Sequence, residues 1–198
     1  MSSKYSFQKY IYPSRWMDYW YQIREVLTLH PQNLLEVGVG SGVVSDYLKS
    51  QGVNITTIDI NKELNPDVVG SVTNIPLKDN FFDVVLCAEV LEHLPFADFE
   101  KGLKELNRVS KKYVVLSLPH FGPMIKASIK APFIKEIKIF FKTYLPVVHK
   151  FNGEHYWEIG KKGYPSSKIR KIINKHFEIK KEFIPHESHY HRFYVLEK

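Results

Sequence analysis

Cysteine is almost absent from the sequence, as is typical of proteins in a reducing compartment. Its 198 residues include one cysteine, Cys87, so no disulfide can form within the chain. The first residues lack the apolar core of a signal peptide, and no stretch reaches the about 18 consecutive apolar residues of a membrane-spanning helix. We therefore expect a soluble, cytoplasmic protein, and the length suits a single domain over residues 1–198.

Acidic residues are scarce in one part of the chain. The net charge is +7, and residues 119–164 account for most of it, with eight lysines against three glutamates. Such a segment can face an anionic substrate, a membrane surface or nucleic acid, although a solvated, lysine-rich surface is the simpler interpretation. No nucleic-acid recognition module is visible, which disfavours nucleic acid as a partner.

Strand and helix patterns alternate along most of the remaining sequence. Uninterrupted Val, Ile and Leu runs between helical patterns indicate a parallel sheet covered on both faces. The predicted strands are 34–37, 55–58, 68–69, 82–87 and 113–118, followed by a closing pair at 177–183 and 192–196. The prediction is an α/β fold: a doubly wound, Rossmann-like, mostly parallel seven-stranded sheet with an antiparallel closing strand.

Four segments make up this predicted domain. They are an N-terminal aromatic helix region (1–32), the core of strands and helices (33–118), a helical lid insertion (119–164) and a closing helix with its strand pair (165–198). The helical assignment of the lid depends on apolar residues at helical spacing, namely Phe133, Ile137, Phe140 and Tyr144. A basic amphipathic lid can cover an apolar substrate or contact a membrane peripherally, or it can simply pack on the domain with its lysines in water.

The glycine-rich turn after the first predicted strand is the strongest local signal. Gly38, Gly40 and Gly42 stand between that strand and a predicted helix over residues 43–50. Glycines let the backbone approach a ligand closely, and the following helix points its amides and positive dipole end at that ligand. Asp59, at the end of the second strand, can accept hydrogen bonds from ribose hydroxyls. Residues 33–59 are therefore predicted to form a nucleotide-cofactor pocket.

The spacing of the glycines separates two cofactor classes. The dinucleotide fingerprint G-x-G-x-x-G/A would place its third small residue at Val43, which is too large for close helix–strand packing. The pattern Glu36-x-Gly38-x-Gly40-x-Gly42 instead resembles motif I of class I S-adenosylmethionine-dependent methyltransferases. A nicotinamide-dependent oxidoreductase remains the disfavoured alternative.

Further motifs extend this resemblance over about residues 33–120. Gly70-Ser-Val-Thr-Asn-Ile-Pro76 and Asn80-Phe-Phe-Asp-Val-Val-Leu-Cys-Ala-Glu-Val-Leu-Glu-His-Leu-Pro95 look like the type 11 methyltransferase subfamily. The resemblance implies S-adenosyl-L-methionine as the cofactor and S-adenosyl-L-homocysteine as the product. The cofactor-binding residues that it implies are Glu36, Gly38, Val39, Gly40, Gly42, Asp59, Ile60, Ser71, Val72, Ala88 and Glu89.

Within that set the resemblance implies separate roles. The glycine turn with Val39 would hold the methionine part, Asp59 the ribose, and Ile60 would pack on adenine. Ser71 and Val72 would lie at the adenine edge, where the family often has Asp in place of Ser71. Serine accepts a hydrogen bond more weakly, so we expect adenine recognition to rely on the Val72 backbone. Ala88 and Glu89 would face the sulfonium end.

The chemistry implied by the resemblance needs few catalytic groups. Methyl transfer from a sulfonium is a direct displacement, which alignment of the reactants and exclusion of water can promote. A general base helps only if the acceptor is a hydroxyl or a protonated amine, and the candidates are His93, Glu89 and His120. No metal is predicted, since the nearby histidines His186, His189 and His191 come without cysteine or an acidic cluster.

The acceptor is expected to bind near the lid, beyond the carboxyl ends of the strands. His155, Tyr156 and Trp157 follow the lid lysines and are the predicted substrate residues. The predicted function is methyl transfer to a small-molecule or lipid-like acceptor. The alternative of a different class is a module that binds S-adenosylmethionine without transferring its methyl group.

Overall fold

The computed structural model describes residue 5 and residues 10–130, 132–145, 147–151 and 153–198. Its strands are β1 (Asn33–Val37), β2 (Asn54–Asp59), β3 (Val68–Val69), β4 (Phe82–Ala88), β5 (Ser110–Pro119), β6 (Met124–Ile129), β7 (Ile137–Lys142), β8 (Glu178–Phe183) and β9 (His191–Glu197). Its α-helices are α1 (Pro13–Thr28), α2 (Val43–Ser50), α3 (Phe99–Val109) and α4 (Ser166–Ile173).

Seven strands form one sheet in the order β3-β2-β1-β4-β5-β9-β8. Neighbours from β3 to β5 run parallel, whereas β9 is antiparallel to both β5 and β8. The order reverses at β1 and β4, and the carboxyl ends of these two strands border the crevice where ligands bind in such sheets. The predicted α/β fold is confirmed, including the antiparallel closing strand.

Helices cover both faces of the sheet, which explains the uninterrupted apolar strands. Along β1, Leu34 packs in the cluster beneath α1 and α2, and Leu35 packs in the cluster beneath α3 and α4. Successive side chains of a strand point to opposite faces, so a strand buried on both sides needs apolar residues at consecutive positions. Within the described residues, no helix is both long and apolar enough to cross a membrane.

The predicted helical lid is wrong, because the described part of residues 119–164 contains a β-hairpin and no helix. Strands β6 and β7 pair antiparallel, from Met124 opposite Lys142 to Ile129 opposite Ile137. The run Ile-Lys-Ile-Phe-Phe at 137–141 also fits an alternating strand pattern, and its β-branched and aromatic residues favour strand. Phe133 lies in the turn with a φ of 65°, where no helix can continue.

Candidate cofactor and acceptor site

A cavity of about 620 Å³ lies at the carboxyl ends of β1, β2 and β4. Its volume is within the range of small-molecule sites, about 300–1,000 Å³. The predicted cofactor residues that line it are Glu36, Gly38, Val39, Gly40, Asp59, Ile60, Ser71, Val72, Ala88 and Glu89. Gly42 is not among the lining residues and forms the N-cap of α2.

Backbone geometry explains why glycine occupies the turn after β1. Gly38, Gly40 and Gly42 have φ angles of 84°, 55° and 77°, a region that other residues rarely adopt. A Cβ atom at Gly38 would lie 2.5 Å from Val90 Cγ2. The turn therefore brings bare backbone to the cavity, and α2 starts directly behind it.

Asp59 connects the end of β2 to this turn. Its Oδ2 accepts a hydrogen bond from the Val39 amide at 2.9 Å, and its Oδ1 accepts one from the Asn61 amide at 2.8 Å. Both bonds hold the carboxylate at the cavity. The neighbouring Ile60 side chain is 77% exposed and would be covered by a flat ligand such as adenine.

Glu36 is a buried acid on β1, and its carboxyl group is only partly satisfied by hydrogen bonds. Glu36 is among the residues that line the cavity, and its Oε2 has no hydrogen-bond partner in the described part of the chain. Burial raises the pKa of Glu36 to about 8, because desolvation penalises the carboxylate. An orphaned acid of this kind suits a ligand that carries an ammonium group. Together with the turn and Asp59, it fits the amino-acid and nucleoside parts of S-adenosylmethionine.

The structure contains a buried row of hydrogen-bonded, charged side chains that was not predicted from the sequence. His191 Nδ1 donates to Asp18 Oδ2 at 2.8 Å, and His191 Nε2 donates to Glu89 Oε2 at 2.7 Å. Ser117 Oγ donates to the other Glu89 oxygen at 2.7 Å. Glu89 itself has a φ of 56°, a strained conformation for a non-glycine residue at the cavity edge. We call Asp18, His191 and Glu89 the Asp–His–Glu chain.

Electrostatics keep His191 and Glu89 charged at neutral pH. Burial by itself would lower the pKa of His191, but the charge of Glu89 and the hydrogen bonds to Asp18 and Glu89 raise it to about 10. Burial would likewise raise the pKa of Glu89, yet the His191 charge and the bonds from His191 and Ser117 hold it at about 2. Neither group is therefore suited to accept a proton at pH 7.

Tyrosines form a second feature that the motifs did not predict. Five of them line the cavity, and we call them the tyrosine cluster: Tyr5, Tyr10, Tyr12, Tyr19 and Tyr190. Arg15 stacks over the Tyr10 ring at 4.6 Å, and Tyr19 shares a 2.8 Å hydrogen bond with Ser41 in the glycine turn. The aromatic N-terminal region was visible in the sequence, but only the packing of α1 beside the turn assigns it to the site.

The structure places some of the remaining predicted residues at the cavity and others away from it. His93 and His155 line the cavity, with their rings 5.2 Å apart. His120 does not line it; its Nδ1 accepts a hydrogen bond from Arg192, and burial with nearby positive charges lowers its pKa to about 3. Trp157 is fully buried in the core against Phe99, which explains its absence from the cavity. Tyr156 points elsewhere and packs on Phe151.

The sequence of this chain is similar to those of known methyltransferases. Residues 35–117 match a family model described as a methyltransferase domain. A ubiquinone biosynthesis O-methyltransferase of Hydrogenovibrio crunogenus is 25% identical over 88 residues, covering 37% of this chain and 36% of its own length. A norajmaline N-methyltransferase of Rauvolfia serpentina is 32% identical over 110 residues, covering 46% and 37%. The chain thus spans little more than a third of the length of these relatives.

A solved structure shares the fold over the whole chain. The N-methyltransferase NodS of Bradyrhizobium japonicum, in complex with S-adenosyl-L-homocysteine, superposes with a TM-score of 0.65 at 10% identity. The match covers 100% of this chain and 93% of NodS. Residues 35–117 thus match a methyltransferase-domain model, and the chain shares the fold of a solved methyltransferase, in agreement with the resemblance seen in the motifs.

Proposed function

We propose that this chain transfers a methyl group from S-adenosylmethionine to a small-molecule or lipid-like acceptor. The observation that carries the proposal is one cavity that joins the glycine turn and Asp59 to the tyrosine cluster. The turn side suits the cofactor, and the aromatic side offers apolar surface to an acceptor. A cavity of about 620 Å³ suits a small molecule better than a folded macromolecule.

The bound cofactor would supply an activated methyl group on its sulfonium, and the chain would supply alignment. The Asp59 bonds to Val39 and Asn61 hold the ribose side of the cavity in place. The Asp–His–Glu chain fixes the end of β4 at the cavity edge through two buried bonds of His191. Rigid placement of both reactants in a site shielded from water supplies much of the rate of a displacement.

Any proton leaving the acceptor needs a group that faces the cavity. Glu89 and His191 remain an ion pair at neutral pH, and His120 lies outside the cavity lining. His93 lines the cavity and is the one of the three predicted candidates that this geometry favours. Its Nδ1 lies 2.9 Å from the Glu154 carbonyl oxygen, which orients the ring.

The hairpin of β6 and β7 supports a lipid-like acceptor and a peripheral membrane contact. Its cross-strand pairs Ile125–Phe141, Ala127–Ile139 and Ile129–Ile137 share one face, and Ile125 and Phe141 are 71% and 60% exposed. The opposite face is attached to the domain, since Lys142 donates to the His189 carbonyl and Lys138 pairs with Glu187. An apolar sheet face that points outward marks an interaction surface.

Charge at the hairpin tip favours an anionic lipid surface. Phe133 and Ile134 are exposed at the tip, and Lys130 and Lys135 flank them. Apolar side chains can enter the acyl boundary while adjacent lysines contact anionic headgroups. A membrane-bound acceptor would then be presented near the cavity.

Two measurements test the proposal in order. Calorimetric titration with S-adenosylhomocysteine is expected to show binding to one site per chain, and absence of binding would overturn the proposal. Transfer from methyl-labelled S-adenosylmethionine is then measured against a polar metabolite extract and a lipid extract. Label in either extract supports an enzyme. Cofactor binding with no label in either extract would favour a binding module that does not transfer the methyl group.

A further inference from the structure

Three side chains with metal-binding atoms meet beside the cavity. Glu92, His93 and His155 each contribute one oxygen or nitrogen, and these atoms all lie within 4.8 Å of one another. Glu92 and His93 belong to the short 3₁₀ turn Leu91–His93 that follows β4, whereas His155 comes from the segment after the hairpin. The Tyr156 amide donates to the Glu92 carbonyl oxygen at 2.9 Å, which fastens the two segments together.

Glu92 lacks the partners that a buried acid requires. Its side chain is completely buried, and neither carboxylate oxygen forms a hydrogen bond to any described residue. A buried carboxyl group without partners is costly, and native structures compensate such groups with hydrogen bonds, opposite charges or metal ions. No lysine or arginine is ion-paired with Glu92 within the described chain, so a bound cation would compensate its carboxylate.

Both histidines have the outer contacts that orient metal-binding imidazoles. The Nδ1 of His93 lies 2.9 Å from the Glu154 carbonyl oxygen, and the Nδ1 of His155 lies 3.3 Å from Glu158 Oε1. Hydrogen bonds of this kind fix the ring orientation and the tautomer, and they raise the basicity of the other ring nitrogen. An imidazole that donates through Nδ1 carries an unprotonated Nε2, which is the form that binds a metal ion.

We propose that Glu92, His93 and His155 bind a divalent first-row transition-metal ion such as Zn²⁺ or Mn²⁺. Two imidazoles suit Zn²⁺ better than Ca²⁺ or Mg²⁺, which favour oxygen ligands, and the carboxylate also suits Mn²⁺. His93 and His155 line the cavity, so the open coordination positions of the ion would face the acceptor side. The proposal revises the sequence prediction of a metal-free site. With the ion bound, His93 would act as a ligand and could not serve as the general base.

The test uses the full chain after removal of metal with a chelator. Titration calorimetry with Zn²⁺ and, separately, Mn²⁺ is expected to show one ion bound per chain. His93→Ala and His155→Ala should each weaken the binding by at least about tenfold, and the double variant should abolish it. His176→Ala is the matched control, since His176 pairs with Glu100 and is not among the cavity-lining residues.

Stability measurements keep the result interpretable. The metal should raise the unfolding temperature of the wild type and of His176→Ala but not of the double variant. Equal metal affinity in the wild type and the double variant, or no binding to the wild type, would overturn the proposal. S-adenosylhomocysteine titration of the same samples tests the proposed function separately, so either conclusion can fail without the other.

Discussion

His191 Nε2 lies 2.7 Å from Glu89 Oε2, and this contact joins the start of β9 to the residue that follows β4. Asp18 on α1 binds the other nitrogen of the same imidazole. Three elements from distant parts of the sequence thus meet at one buried ring beside the cavity. The Asp–His–Glu chain therefore connects the stability of the domain to the geometry of the site.

Replacement of His191 tests this connection. His191→Gln should destabilise the protein by about 3–5 kcal/mol, because it leaves two buried carboxylates without their cation. Urea unfolding measures the loss. His176→Gln is the control, since it removes a histidine from a pair with the more exposed Glu100, and it should remain close to the wild type. Equal stability of the two variants would contradict the assignment.

The same chain predicts a pH dependence of stability. The pKa of His191 rises from 6.5 to about 10 on folding, so its stabilisation is complete below about pH 6.5 and is lost as the pH rises towards 10. The pKa of Glu89 falls from 4.5 to about 2, so its stabilisation is present above about pH 4.5 and is lost below it. The contribution of the pair should therefore be greatest between about pH 4.5 and 6.5.

The difference in unfolding free energy between wild type and His191→Gln isolates this effect. Glu36 also lowers stability as the pH rises from 4.5 to about 8, because the native state holds a proton that the unfolded state has released. That contribution is common to both proteins and cancels in the difference. The difference should narrow steadily above pH 6.5, and a constant value up to pH 10 would contradict the raised pKa of His191.

Gly38 and Gly52 form a matched pair for testing the glycine turn. Their φ angles are 84° and 83°, but a Cβ at Gly38 would meet Val90, whereas a Cβ at Gly52 would meet no atom of the described residues within 4 Å. Each change to alanine should cost about 1–2 kcal/mol for the left-handed backbone. Only Gly38→Ala should also weaken S-adenosylhomocysteine binding, by at least about tenfold. Equal cofactor affinity in both variants would show that the close approach at Gly38 is irrelevant to binding.

Glu36 should control how cofactor affinity depends on pH. The apo protein holds a proton on Glu36 at pH 7, since the pKa is about 8. We expect an ammonium-bearing ligand to bind the ionised form, so binding should release a proton and strengthen from pH 7 to pH 9. Titrations of S-adenosylhomocysteine in two buffers of different ionisation enthalpy measure that release. Glu36→Gln should abolish it, whereas the exposed Glu63→Gln should behave as the wild type.

The hairpin tip should determine attachment to anionic lipid. Combined Phe133→Ser and Ile134→Ser substitutions should reduce co-sedimentation with vesicles of phosphatidylglycerol and phosphatidylcholine by several-fold. The wild type should bind pure phosphatidylcholine weakly, because lysine attraction is then absent. Phe81→Ser removes an exposed aromatic ring elsewhere and is the control. Unchanged sedimentation of the tip variant would contradict the membrane contact, and its S-adenosylhomocysteine affinity should equal that of the wild type.

The sheet and the glycine turn beside the cavity were predictable from the sequence. Strands such as β1 and β4 are buried on both faces, so their apolar runs are visible without any knowledge of their neighbours. The glycines of the turn from Gly38 to Gly42 adopt positive φ angles. The preference for glycine at such angles is a property of the single residue, so it is visible in the sequence. The role of Asp59 was predicted from its position at the end of a strand. These signals are local, which is why one sequence sufficed to identify them.

The arrangement of residues 119–164 and of the histidines could be learned only from the folded structure. The segment before Tyr144 satisfies both helical and alternating spacing, and pairing of β6 with β7 selected the strand. No sequence pattern near Trp157 predicts its burial, yet Trp157 packs against Phe99 in the core and does not line the cavity. The Asp–His–Glu chain and the contact of His155 with His93 join residues that are far apart in sequence. Such contacts depend on which elements the folded sheet brings together, and no short-range pattern encodes that choice.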